Sequence, residues 1–72
     1  MRIRLRIKEV AENKGWTMTK LSHRSEVAFT TVKSTFRDPY RTLNTDTLRR
    51  LAEALEVSIH DLIEEVPDDK ED

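Results

Sequence analysis

The first eight positions alternate without a break: Met1, Ile3, Leu5 and Ile7 are apolar, while Arg2, Arg4, Arg6 and Lys8 are basic. A period of two is the mark of a half-buried strand, so an extended segment is expected to about Leu5. From Ile7 the spacing becomes helical, through Val10 and Ala11, and predicts a first helix that runs to about Lys14 and stops at Gly15, the only glycine. A single strand leaves its backbone donors and acceptors unpaired. Its partner is then either Ile63–Val66, where Glu64 and Glu65 can face the arginines, or a strand of a second chain. The competing expectation is that helix 1 begins at Arg2 or Ile3 and no strand forms.

Thr17 is a good N-cap for a helix over Met18–Ser25 anchored by Leu21. A further helix is expected from near Ala28 to about Arg37, with Val32 and Phe36 four apart, until Asp38 and Pro39 break the pattern. Asn44 caps a fourth helix, whose Leu48, Leu51, Ala52 and Leu55 fall at i, i+3, i+4 and i+7. Ser58 opens a last helix, with Asp61 three residues on as in a capping box and Ile59, Leu62 and Ile63 as its apolar stripe, and Pro67 ends it. The expected organisation is one domain over residues 1–66 and a disordered acidic tail over residues 67–72.

Composition narrows the function. The chain has 72 residues, 36% hydrophobic and 38% charged, with no cysteine, which excludes a disulfide scaffold, a thiolate metal site and a cysteine nucleophile and points to a reducing compartment. The longest apolar run is three residues, Val27 to Phe29, too short for a membrane span or a signal-peptide core, so a cytoplasmic protein is expected. The net charge of −1 hides a division: residues 1–42 carry ten basic against four acidic side chains, a balance of +6, and residues 43–72 carry three against ten, −7. Such asymmetry fits a polyanion partner, and it equally fits plain solvation of a small surface.

The third helix separates the two. At 100° per residue, Ala28, Val32, Thr35 and Phe36 share one side, and Thr30, Lys33, Ser34 and Arg37 share the other, with Phe29 and Thr31 at the borders. The outer face thus holds two cations, two hydroxyls and no acid. A convex helix of this kind fits the major groove of B-DNA, and its N-terminus favours phosphate.

Three stretches carry a family likeness: Gly15-Trp16-Thr17-Met18-Thr19-Lys20-Leu21-Ser22, then Val27-Ala28-Phe29-Thr30-Thr31-Val32, then the run LAEALEVSIHDLI from Leu51 to Ile63. Over about residues 6 to 64 the chain resembles the Cro and phage-repressor type helix-turn-helix family, also called the XRE family. The resemblance implies an all-α fold, a five-helix Cro/repressor-like helix-turn-helix bundle with the N-terminal strand as an addition. It also implies a sequence-specific duplex-DNA-binding transcriptional regulator that acts as a homodimer on a partly palindromic operator. By position, Phe29, Thr30, Lys33 and Ser34 match base-reading residues, and Thr17, Thr31, Arg37, Tyr40 and Arg41 match residues that touch the DNA backbone.

The chain departs from the family pattern at several places. Met18 stands where glutamine is frequent, and Glu26 and Glu56 stand where glycine is frequent. Ala11 and Phe36 replace an arginine–glutamate pair and can fill the same space without an ion pair. Phe29 is expected either to touch a thymine methyl or to extend the core beside Phe36. Arg2, Arg4 and Arg6 either track the DNA backbone, pair with the acidic C-terminal segment or solvate the strand, and Trp16 is expected in the core or its rim.

No metal, cofactor or catalytic site is expected. His23 and His60 lack ligand neighbours at metal spacing, and Ser58, His60 and Asp61 are too close in sequence to converge as a hydrolytic triad. A small nuclease is therefore a remote prospect. The alternative from another functional class is an antitoxin or adaptor that binds a partner protein and autoregulates its operon; a five-residue tail after Pro67 is short for wrapping such a partner.

Overall fold

β1 (Arg2–Leu5) runs antiparallel to β2 (Ile63–Val66), with Arg2 opposite Val66, Ile3 opposite Glu65, Arg4 opposite Glu64 and Leu5 opposite Ile63. The computed structural model describes residues 1–67. Residues 68–72, most of the expected acidic tail, lie outside the described residues. Between the strands the chain forms α1 (Ile7–Asn13), α2 (Met18–Ser25), α3 (Phe29–Arg37), α4 (Thr45–Leu55) and a 3-10 turn (Ile59–Leu62).

The expected count of five helices in an all-α bundle is corrected to four α-helices and a two-stranded sheet among the described residues. Ser58 does start a helical turn: its hydroxyl accepts from the His60 N–H at 3.1 Å, and the Asp61 carboxylate accepts from the Ser58 N–H at 3.2 Å. The turn ends at Leu62, where Ile63–Val66 becomes extended and supplies the partner that β1 needs. A helix carried on to Val66 would leave those strand groups without partners. Of the two acids expected to face arginines, Glu64 does so, with Oε1 2.8 Å from Arg4 Nη1, whereas Glu65 lies opposite Ile3.

The caps at Thr17 and Asn44 form as their residue types dictate: Thr17 Oγ1 accepts from the Lys20 N–H at 3.1 Å and Asn44 Oδ1 from the Thr47 N–H at 2.7 Å. Three helices end on left-handed residues: Gly15 (φ 73°), Glu26 (φ 60°) and Glu56 (φ 59°). After α1 and α4 the chain closes with six-residue Schellman bonds, Trp16 N–H to Ala11 O at 2.9 Å and Val57 N–H to Ala52 O at 3.0 Å. Glycine meets this backbone at no steric cost, while each glutamate is strained by about 1 kcal/mol.

The four helices, β1 and the 3-10 turn build one core, against which Ile63 of β2 packs. Leu5 comes from β1, Ile7 and Ala11 from α1, Leu21 from α2, Val32 from α3, Leu51, Ala52 and Leu55 from α4, and Leu62 from the turn before β2. Trp16, Met18 and Phe36 pack at its margin, and Ala11 is fully buried, so this position of α1 is filled by an apolar methyl. No helix among the described residues is long and apolar enough to cross a membrane.

Candidate nucleic-acid interface

The turn between α2 and α3 is built from two buried serines. Ser22 Oγ donates to the Val27 carbonyl at 2.7 Å, Ser25 Oγ donates to the Leu21 carbonyl at 2.6 Å, and Ser25 Oγ accepts from the Val27 N–H at 3.3 Å. With Glu26 left-handed, these bonds satisfy the backbone where the chain reverses and hold α3 at a set angle to α2. Sequence reasoning overlooked both serines. Their signal was position: Ser25 lies four residues after Leu21 on the inward stripe of α2, where a buried hydroxyl must find a partner.

α3 then presents the expected division with one correction. Val32 and Thr35 are buried, and Thr35 Oγ1 donates to the Val32 carbonyl at 2.7 Å, so its polar atom is satisfied inside. Phe36 is half-buried against the core. Ala28, expected on the inner side, is exposed. It is the N-cap, with ψ 140°, so helical phasing begins one residue later. Ala28 also offers no side-chain cap: the Thr31 N–H bonds the Ala28 carbonyl at 3.0 Å, which leaves the Phe29 and Thr30 N–H groups to solvent or to an external acceptor.

The outer face carries Thr30, Lys33 and Arg37, all exposed, with Thr31 and Ser34 half-buried. Phe29 is 43% exposed, so its ring is displayed at the start of α3 and the core-extending role falls to Phe36. Ser34, Arg37, Asp38 and Arg41 together line a depression of about 310 Å³ at the far end of the helix. Its one acid is engaged: Asp38 Oδ1 accepts from the Tyr40 N–H at 3.1 Å. Thr17 lies outside this depression, at the start of α2, where its hydroxyl oxygen serves as the cap.

Ion pairing sorts the cations. Among the described residues the ion pairs engage Arg4, with Glu9 and Glu64, and Arg49 and Arg50, with Asp46 and Glu53. The Asp46 carboxyl is held below its ordinary range, first by the Arg49 hydrogen bond and then by the charge of Arg50, and Arg49 is raised in return by Asp46 and then Glu53. The arginines of α4 are thus largely neutralised. Lys33, Arg37 and Arg41 stand outside these pairs, on one side of the domain's helix-turn-helix, and with Asp38 as the acid among them they leave that surface a net positive charge suited to a polyanion.

Ser58 and Asp61 form the reciprocal cap described above, and His60 Nδ1 lies 3.2 Å from Ser58 Oγ within it. No group of three or more His, Asp or Glu side chains that could hold a metal ion occurs among the described residues.

The family model for the Cro/C1-type HTH DNA-binding domain matches residues 6–68. No curated protein and no solved structure matches the chain significantly. A helix-turn-helix with an acid-free outer face, placed within a match that spans most of the sequence, establishes that the chain belongs to the Cro/C1-type HTH DNA-binding domain family.

Proposed function

We propose that the chain is a sequence-specific transcriptional regulator that inserts α3 into the major groove of duplex DNA. The observation that carries this reading is the outer face of α3, where Thr30, Lys33, Ser34 and Arg37 are presented while Val32 and Thr35 lock the opposite side into the core. In this mechanism Thr30 and Ser34 use hydroxyls on base edges, Phe29 meets a thymine methyl, and Lys33 reaches a guanine edge. Thr17, Thr31, Arg37, Tyr40 and Arg41 contact phosphates and set the register.

A single short helix reads only a few base pairs, so high specificity calls for two copies on a partly palindromic operator. We therefore include a homodimer in the proposal, acting in the cytoplasm, where the cysteine-free sequence is at home. No bond is made or broken: occupancy of the operator changes access to the promoter.

Selection of bound sequences from a random duplex pool tests the reading. The expected result is an enriched motif with two related half-sites. Recovery of no motif, together with no binding to any duplex at low salt, refutes it.

A further inference from the structure

The N-terminal strand carries two arginines, Arg2 and Arg4, and the structure gives them different partners. Arg4 Nη1 is shared between Glu9 at 2.7 Å and Glu64 at 2.8 Å, so this side chain is spent on joining β1, α1 and β2. Arg2 instead lays its guanidinium over the ring of Tyr40, 3.8 Å from the centroid. Tyr40 belongs to the loop that follows α3, and the next residue, Arg41, lines the depression shared with Ser34 and Arg37.

The stack is braced from both sides. The Leu5 N–H donates to the Pro39 carbonyl at 2.6 Å, which fastens β1 to the loop one residue before Tyr40, and the pairing of Arg2 with Val66 fixes the start of the strand. A second depression, of about 410 Å³, lies between strand and loop and is bordered by Arg2, Ile3, Tyr40 and Arg41. Arg41 borders both depressions, so the surface from Ser34 and Arg37 through Arg41 to Arg2 is continuous.

A guanidinium stacked by its face keeps its N–H edge available, and that edge matches two phosphate oxygens. Among the described residues the only acid bordering this strip, Asp38, accepts from the Tyr40 N–H. We infer that Arg2 is a DNA-phosphate contact supplied by the N-terminal strand, with the Tyr40 ring as its positioning residue. It extends the footprint along the DNA backbone beyond the helix-turn-helix. The inference rests on the proposed DNA binding and adds a contact from an element outside the recognition unit.

The test is a fluorescence-anisotropy titration of a labelled random-sequence duplex of about two helical turns, repeated over a series of salt concentrations, with thermal melting to confirm that each variant is folded. Loss of one phosphate contact lowers the magnitude of the log K against log salt slope by about 0.9. Arg2→Ala is expected to show that decrease, Arg2→Lys to restore the slope by keeping the charge, and Tyr40→Leu to lower it by freeing Arg2 from its seat. Arg4→Gln is expected to leave the slope unchanged. If the wild type binds and Arg37→Ala lowers the slope while Arg2→Ala does not, the Arg2 contact is refuted and the proposed function stands. If the wild type binds no duplex at low salt, both fall.

Discussion

The hydroxyl of Ser22 donates to the carbonyl of Val27 across the turn between α2 and α3, at 2.7 Å and out of reach of solvent. This bond settles a backbone acceptor that the helix cannot satisfy once the chain reverses at Glu26. Removal of the hydroxyl leaves the carbonyl buried and unpaired, at a cost of about 1 kcal/mol or somewhat more. Ser22→Ala is therefore expected to lower stability by that amount in urea denaturation. It is also expected to weaken DNA binding more than its stability loss explains, because the angle of α3 relaxes. An unchanged denaturation midpoint would show that the bond does not hold the turn.

Glu26 and Glu56 end α2 and α4 in the left-handed conformation. Glycine at either position removes the steric penalty and adds back part of it as chain entropy. Glu26→Gly and Glu56→Gly are each expected to stabilise the domain by about 0.5–1 kcal/mol, and the double variant by nearly the sum, because the two sites lie at the ends of different helices. Denaturation midpoints measure this directly, and a loss of stability in both variants would contradict the strain at these caps.

Glu9 gives the fold a modest acid sensitivity. Its partial burial favours the protonated form, but the Arg4 hydrogen bond, its own backbone N–H and the charges of Arg4 and Arg6 together outweigh this and hold the carboxyl below its ordinary range. A carboxyl depressed in the folded state contributes stability above its unfolded pKa, about 4.3, and loses it as pH falls through the lower folded value. Glu9→Gln is thus expected to melt below the wild type at pH 7, with the gap closing as pH drops under about 4. The difference should be small, since both partners are about a third exposed, and a gap that widens in acid would reverse the sign.

Lys33, Arg37 and Thr30 share a helix face but differ in what they can read. Arg37→Ala is expected to weaken all duplexes alike and to flatten the salt dependence by about one phosphate, whereas Thr30→Ala is expected to shift preference at particular base pairs with the slope preserved. Competition binding with single-base variants of the selected motif distinguishes the two. A uniform effect of Thr30→Ala would mean that this hydroxyl faces phosphate rather than a base edge.

Where a single side chain determines local structure, the sequence is sufficient. Thr17, Asn44 and Ser58 each place an oxygen where the next turn needs an acceptor, and helical turns start after all three. The strand at Arg2–Leu5 and its partner at Ile63–Val66 follow from alternation and from the need to pair an orphan edge. The fifth helix failed because the capping signal at Ser58 specifies a start and says nothing of length. Pairing of β1 then decides that the turn ends at Leu62. Ala28 was misplaced because its backbone is extended, so a helical angle does not apply to it. Ser22 and Ser25 were hidden for another reason, as was the seat of Arg2, for which the sequence left DNA backbone, acidic partner and solvent open. Their partners Val27 and Tyr40 are set by a reversed turn and by the Leu5–Pro39 bond, contacts that no local periodicity encodes.

The central claim is that the outer face of α3 is the DNA-binding surface, and backbone amide shifts of isotope-labelled protein titrated with duplex DNA test it residue by residue. The account predicts that the largest changes fall on Phe29 to Arg37, on Thr17 to Lys20 and on Tyr40 and Arg41, with α4 little affected beyond its first turn. Changes concentrated on the Arg49 and Glu53 face of α4, with α3 silent, would contradict it.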